Sequence, residues 1–341
     1  MKASFSIVRW IAVIAVLAGC NALTPTPTNV PATPTLLTLD QSAAPTSSAT
    51  SAPPAAQTPR STRAPVIDLA LVGKIDRDVT YCTADGVALK LDVYHPLMTR
   101  GGLAPVVVDV HGGSWMGGDK AHSETLADIP ELVSRGYLVA AVNYRLAPKY
   151  KFPAQIEDVK CAVRYLRANA TTYNLDPNRI GALGCSAGGH LVAMLGLTDG
   201  HAEFEGKGDY PNESSRVQAV VAMSAPADFT LVSYNQTHAQ IFASVFGATS
   251  ITDTILTRFS PVNYVSKNAP PFFIVGGDKD QTVPAQQSEV LYRRLIDVGA
   301  PASLQIVQNA HHCLPDPPPS MEPSRETITR MIADFFDRVM R

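Results

Sequence analysis

The stretch Leu183-Gly184-Cys185-Ser186-Ala187-Gly188-Gly189-His190 decides the fold of this 341-residue chain. It places Gly-x-Ser-x-Gly between two apolar runs, Arg179-Ile180-Gly181-Ala182-Leu183 before it and Leu191-Val192-Ala193-Met194-Leu195-Gly196-Leu197 after it. The first run reads as a buried strand and the second as a helix. Strand, sharp turn and helix form the context in which this pentapeptide is a nucleophile elbow. The turn strains the serine, lifts its hydroxyl clear of the sheet, and leaves no room for a Cβ on either flank. Three fixed residues recur by chance in roughly one chain of this length in ten. The reading therefore needs support from the rest of the chain.

Working outward, the runs Pro105–Val110 and Tyr137–Tyr144 are apolar and β-branched, as strands buried on both faces of a sheet are. Val79–Cys82 and Val87–Tyr94 alternate like two antiparallel strands around a turn at Ala84-Asp85-Gly86. Further buried strands are expected at Val217–Met223, Pro271–Val275 and Ser303–Val307. Helices are expected from Pro153, over about Gln286–Val298, and from about Arg325 to Val339. Strands alternating with helices argue for an α/β fold with a mostly parallel twisted sheet covered on both faces. Active sites of such sheets lie at the carboxyl ends of the strands. Residues 198–216 and 228–263 break the alternation and carry Phe204, Tyr210, Phe229, Tyr234, Phe242 and Phe246; they are expected to form a small cap over the site.

A serine nucleophile needs a base, and the base needs an orienting acid. Gly276-Gly277-Asp278-Lys279-Asp280 follows one expected strand, and Asn309-Ala310-His311-His312-Cys313 follows the last. The order Ser, Asp, His is that of hydrolases with a nucleophile elbow. Each of the two loops offers two candidates. His111-Gly112-Gly113-Ser114-Trp115 follows a third strand, where backbone N–H groups of Gly112 and Gly113, with that of Ala187, would stabilise an oxyanion. Trp115, with Ser114, would line a substrate pocket or else pack beneath the cap. No phosphate-cradling glycine loop, dinucleotide fingerprint or metal-like histidine spacing occurs, so no cofactor and no metal are expected.

Outside the folded region, Met1-Lys2 and Arg9 precede an apolar run from Trp10 to Ala18, the pattern of a secretory signal. Leu17-Ala18-Gly19-Cys20 resembles the bacterial lipobox, which implies a signal peptide over 1–19 and a lipid-modified Cys20. Residues 20–65 are dominated by Pro, Thr, Ser and Ala and are expected to be a disordered tether ahead of a domain over 66–341. The expected address is extracytoplasmic, with membrane contact through that lipid alone. Loss of Lys2 and Arg9 leaves 26 basic against 30 acidic residues, a formal charge of −4 that gives no reason to expect nucleic acid as a partner.

His111–Trp115, Asn143-Tyr144-Arg145-Leu146-Ala147-Pro148, Phe152-Pro153-Ala154, Glu157-Asp158-Val159-Lys160 and Ser186–Leu191 together resemble the hormone-sensitive-lipase-like carboxylesterases of the α/β-hydrolase superfamily. They are most similar to its bacterial dual-specificity feruloyl and acetyl-xylan esterases. That resemblance implies an α/β-hydrolase fold and a serine esterase acting on feruloyl, acetyl or other short ester substrates, small molecules or polysaccharides. It places the acid at Asp280 rather than Asp278 and the histidine at His312 rather than His311. Cys185 and Cys313 flank the serine and the histidine, so a working triad would bring them together. Their pairing resembles the Cys-Ser, Asp, His-Cys arrangement of tannases and fungal feruloyl esterases, in which a disulfide ties the two loops. Nothing in the sequence decides whether Cys82 and Cys161 pair. Two competing readings are amide cleavage by the same triad and a non-catalytic binding role; the second should have lost a triad or oxyanion residue, and this chain keeps a full set.

Overall fold

In a computed structural model, the structure describes residues 69–98, 102–232, 236–315 and 321–341. The expected signal peptide, Cys20, the tether and Tyr234 lie outside the described residues. The chain enters along β1 (Val72–Ala84), turns through Asp85 and Gly86, and returns along β2 (Val87–Pro96). Both turn residues have positive φ, 49° and 75°, the twist that a two-residue hairpin turn requires. β3 (Ala104–Val110), α1 (Ile129–Ser134) and β4 (Leu138–Val142) follow. Next come α2 (Ala154–Ala168), α3 (Ala170–Tyr173), β5 (Leu175–Cys185) and α4 (Ala187–Leu197).

The chain continues with α5 (Ala202–Glu205), β6 (Ala219–Met223), α6 (Gln236–Val245) and α7 (Thr254–Arg258). It closes with β7 (Phe272–Gly277), α8 (Ala285–Asp297), β8 (Ala302–Val307) and α9 (Arg325–Met340).

The sheet has the order β1-β2-β4-β3-β5-β6-β7-β8. β2 is antiparallel to both neighbours, and all pairs from β4 to β8 are parallel. Because successive strand side chains face opposite sides, the apolar runs supply two cores at once. Val106, Val108 and Val110 join Ile156 and Val163 of α2, Leu191 of α4 and Leu291 of α8. Val107, Leu183 and Cys185 instead join Ile129 and Leu132 of α1 and Ile328 and Phe336 of α9. This is a three-layer α/β architecture with β5, the strand that leads to Ser186, inside the sheet.

The two segments expected to form a cap meet where Phe204 packs on Phe152 and Phe259 and Arg258 pairs with Glu203 at 2.5 Å, but they reach different parts of the sheet. Residues 198–216 pack on α2, where buried Lys160 donates to the Thr198 carbonyl and the Glu205 carboxylate, both at 2.6 Å. They also reach β1, since Thr83 N–H donates to Asp209 at 3.0 Å. Residues after β6 do turn toward the elbow: Phe229, Phe242, Phe246 and Phe259 form a buried aromatic layer with Phe152.

Candidate active site

Ser186 sits at the end of β5 with φ 58° and ψ −124°, off the allowed regions for an ordinary residue. The strain is held by a 3.0 Å bond from Ser186 N–H to the Met223 carbonyl and by the start of α4, where His190 N–H donates to the Ser186 carbonyl. A Cβ on Gly188 would lie 1.9 Å from the Val110 carbonyl oxygen, so only glycine lets α4 approach β3 this closely.

His312 lies beyond β8 and Asp280 beyond β7. His312 Nδ1–H donates to Asp280 Oδ2 at 2.8 Å, which leaves Nε2 as the ring's acceptor. Asp280 is buried, and burial pushes its carboxyl up. The bonds from His312, Val283 N–H and Ser224 outweigh that and hold it below the ordinary carboxylate value. The two loops are stitched by backbone bonds: Asp278 N–H to the Val307 carbonyl and Lys279 N–H to the Ala310 carbonyl, each 3.0 Å. A Cβ on Gly277 would meet the Ala310 oxygen at 2.3 Å. Asp278 pairs with Lys279 at 3.6 Å and His311 is exposed, so neither belongs to this couple.

Cys185 and Cys313 form a disulfide with their Cα atoms 5.9 Å apart. It joins the residue before Ser186 to the residue after His312, and so fixes the serine and histidine loops to each other. No hydrogen bond joins the side chains of these two described residues, and triad bonds of this kind commonly tighten only on substrate binding. Cys82 and Cys161 form a second disulfide, from β1 to α2.

The loop after β3 corrects the expectation for Gly112 and decides between the two for Trp115. Gly112 N–H is not open to a ligand: it donates to the Glu124 carboxylate at 3.1 Å. Its carbonyl accepts from His111 Nδ1 at 2.7 Å and from the Tyr144 hydroxyl at 3.2 Å. Gly113, Ser114 and Trp115 then all take positive φ, 101°, 54° and 58°, curling the loop left-handed. The N–H groups of Gly113, Ser114 and Ala187 find no acceptor among the described residues. Trp115 packs beneath the segment after β6. It is 4 % exposed, its Nε1–H donates to His190 Nδ1 at 3.2 Å, and its rings meet Phe229 and Phe246 edge-on. His190 is fully buried and passes the contact on, donating from Nε2 to the Phe259 carbonyl at 2.9 Å. Burial drives its pKa down to about 4, so the ring is neutral and serves as a strut. His111 likewise is buried, pushed down by that burial, and stacked on Tyr144.

Two site residues carried no sequence signal. Ser224, after β6, accepts the Cys313 N–H at 3.2 Å and also bonds Asp280, so it braces both partner loops. Glu124 reaches Gly112 from twelve residues away. A lone serine or glutamate in a loop has no local pattern to mark it.

Comparison with known proteins agrees with this fold. The BD-FAE family model matches residues 91–295. Esterase LipC of Mycobacterium tuberculosis is 31 % identical over 217 residues, 62 % of this chain and 53 % of LipC. The chain spans about half the length of the curated relatives it matches first. Among solved structures, a truncated carbohydrate esterase from gut microbiota superposes with TM-score 0.70 at 28 % identity, covering 82 % of this chain and 99 % of that one. A bifunctional GH43-CE protein of Bacteroides eggerthii gives 0.69 at 31 %, covering 78 % of this chain and 38 % of its own. On the span of the family match and the shared α/β-hydrolase fold, the chain belongs to the BD-FAE family.

Proposed function

We propose that this protein is a serine carboxylic-ester hydrolase acting through an acyl-enzyme. The observation that carries the reading is the His312–Asp280 bond at 2.8 Å on a loop disulfide-linked to the strained Ser186 turn. Ser186 Oγ attacks the ester carbonyl while His312 Nε2 takes its proton, and the same proton then goes to the departing alcohol. Asp280 fixes the tautomer that leaves Nε2 free and offsets the charge of the imidazolium. Gly113 and Ala187 donate to the oxyanion, and Ser114 takes the place first expected of Gly112. Water, activated by His312, releases the acyl group. Buried donors of this type each contribute about 3 kcal/mol to the transition state.

For substrate, the family and the carbohydrate-esterase neighbours favour acetyl or feruloyl esters of polysaccharides. A panel of acetyl, butyryl, octanoyl and feruloyl esters tests this, and a sharp octanoyl preference would sink it. Fluorophosphonate labelling that survives Ser186→Ala would overturn the nucleophile assignment. We also infer a lipid-anchored, extracytoplasmic address from Leu17-Ala18-Gly19-Cys20. Metabolic labelling with radioactive palmitate should be lost in Cys20→Ala; label retained there would refute the anchor.

A further inference from the structure

We propose that Glu124 sets the charge selectivity of the active site, rejecting esters whose acyl part carries a negative charge. The proposal rests on the hydrolase reading above. A Cβ built on Gly112 would lie 3.0 Å from both Glu124 carboxylate oxygens, and one of them accepts the Gly112 N–H. The carboxylate is therefore one residue from Gly113, whose N–H faces the reacting carbonyl in that reading. It is also anchored there. Ser123 and Thr125, on either side, are buried and bonded to each other at 2.7 Å, and Thr125 donates to the buried Asp109 of β3. Between two such fixed neighbours, Glu124 alone is turned to solvent.

Nothing nearby cancels its charge. No ion pair to Glu124 occurs among the described residues, and the cation of its own segment, Lys120, is spent on Asp78 at 2.9 Å and Asp92 at 3.0 Å. His111, the adjacent imidazole, is buried and held neutral. A fixed carboxylate with no counter-ion at the rim of an anion hole imposes a like-charge penalty on any second anion bound there. Neutral acetyl and feruloyl groups escape that penalty. An acyl chain ending in a carboxylate does not. The same charge opposes the oxyanion itself, so the strut must contribute more through holding the Gly112 loop than it costs through repulsion.

The experiment compares 4-nitrophenyl pentanoate with 4-nitrophenyl hemisuccinate, near-isosteres that differ by one terminal charge. The wild type should favour pentanoate in kcat/KM, and added salt should narrow the ratio. Glu124→Gln, which keeps an acceptor for Gly112 N–H, should shrink the ratio by about tenfold. Glu124→Ala, which loses that acceptor, should also lower kcat for pentanoate, and Glu124→Gln should rescue it. A ratio within about twofold of wild type in Glu124→Gln overturns the proposal alone. If the wild type hydrolyses neither ester, the hydrolase reading falls with it. Should the variants not fold, a wild-type ratio indifferent to salt overturns the proposal by itself.

Discussion

Trp115 Nε1–H donates to His190 Nδ1, and His190 Nε2–H donates to the Phe259 carbonyl, so one buried imidazole joins the loop after β3, α4 and the segment after β6. All three partners are buried against aromatic side chains, where an unpaired donor or acceptor has little water to turn to. His190→Leu should therefore cost about 3 kcal/mol, read as a lowered urea midpoint, and Trp115→Phe about 1 kcal/mol. The double variant should lose less than the sum, since each single change orphans the other's partner. Strict additivity would refute the bridge.

The Asp280–His312 bond predicts a loss confined to chemistry. Asp280→Asn keeps the shape but favours the wrong imidazole tautomer, and kcat should fall about 10³–10⁴-fold with KM little changed. Fluorophosphonate labelling of Ser186 should slow in parallel. Asp278→Asn should leave both within about threefold, because that carboxylate pairs with Lys279 instead. Equal damage from the two substitutions would move the acid.

The Cys185–Cys313 disulfide closes a loop of 128 residues. Chain-entropy arguments give a cross-link of that span about 5 kcal/mol of stabilisation. The Cys185→Ala/Cys313→Ala pair should unfold at clearly lower urea, and its kcat should fall because the serine and histidine loops lose their common strut. An unchanged midpoint and kcat would reduce the bond to decoration.

Asp109 is fully buried beside Thr125, one of its oxygens is without a partner, and burial drives its pKa up to about 7. In the unfolded chain it titrates near 4. Between those values the folded protein holds a proton that the unfolded chain has released. Stability from this site is thus complete below pH 4 and lost as pH rises to about 7. Asp109→Asn carries no such proton, so its advantage over wild type should grow from pH 4 to 8 and then level off. A difference that stays flat across that range would contradict the assignment.

The elbow, the parallel sheet and the loops bearing Asp280 and His312 were legible because each rests on a local pattern: a β-branched run, a turn, a residue just after a strand. Where function depends on which groups meet across the fold, the residues gave no warning. Gly112 and Gly113 look alike in sequence, yet only the approach of Glu124 decides that one N–H is spent and the next is open. Trp115 was readable as either pocket wall or packing, and the acceptor that settles it, His190, is seventy-five residues away. Residues 198–216 look like cap sequence, and no local pattern marks that buried Lys160 also ties Glu205 to α2. β1 begins at Val72, well before the expected Val79, because its register shifts break the simple alternation of buried and exposed positions.

The two disulfides, Cys82–Cys161 and Cys185–Cys313, enclose most of the folded chain in a pair of covalent rings. A protease that clips the backbone once inside either ring frees no fragment; the halves stay joined until the bond is reduced. The only span between the rings, residues 162–184, runs through the end of α2, α3 and β5, and the last part of it is interior strand. Within residues 82–313 the chain is thus open to cutting chiefly where a cut does not take it apart.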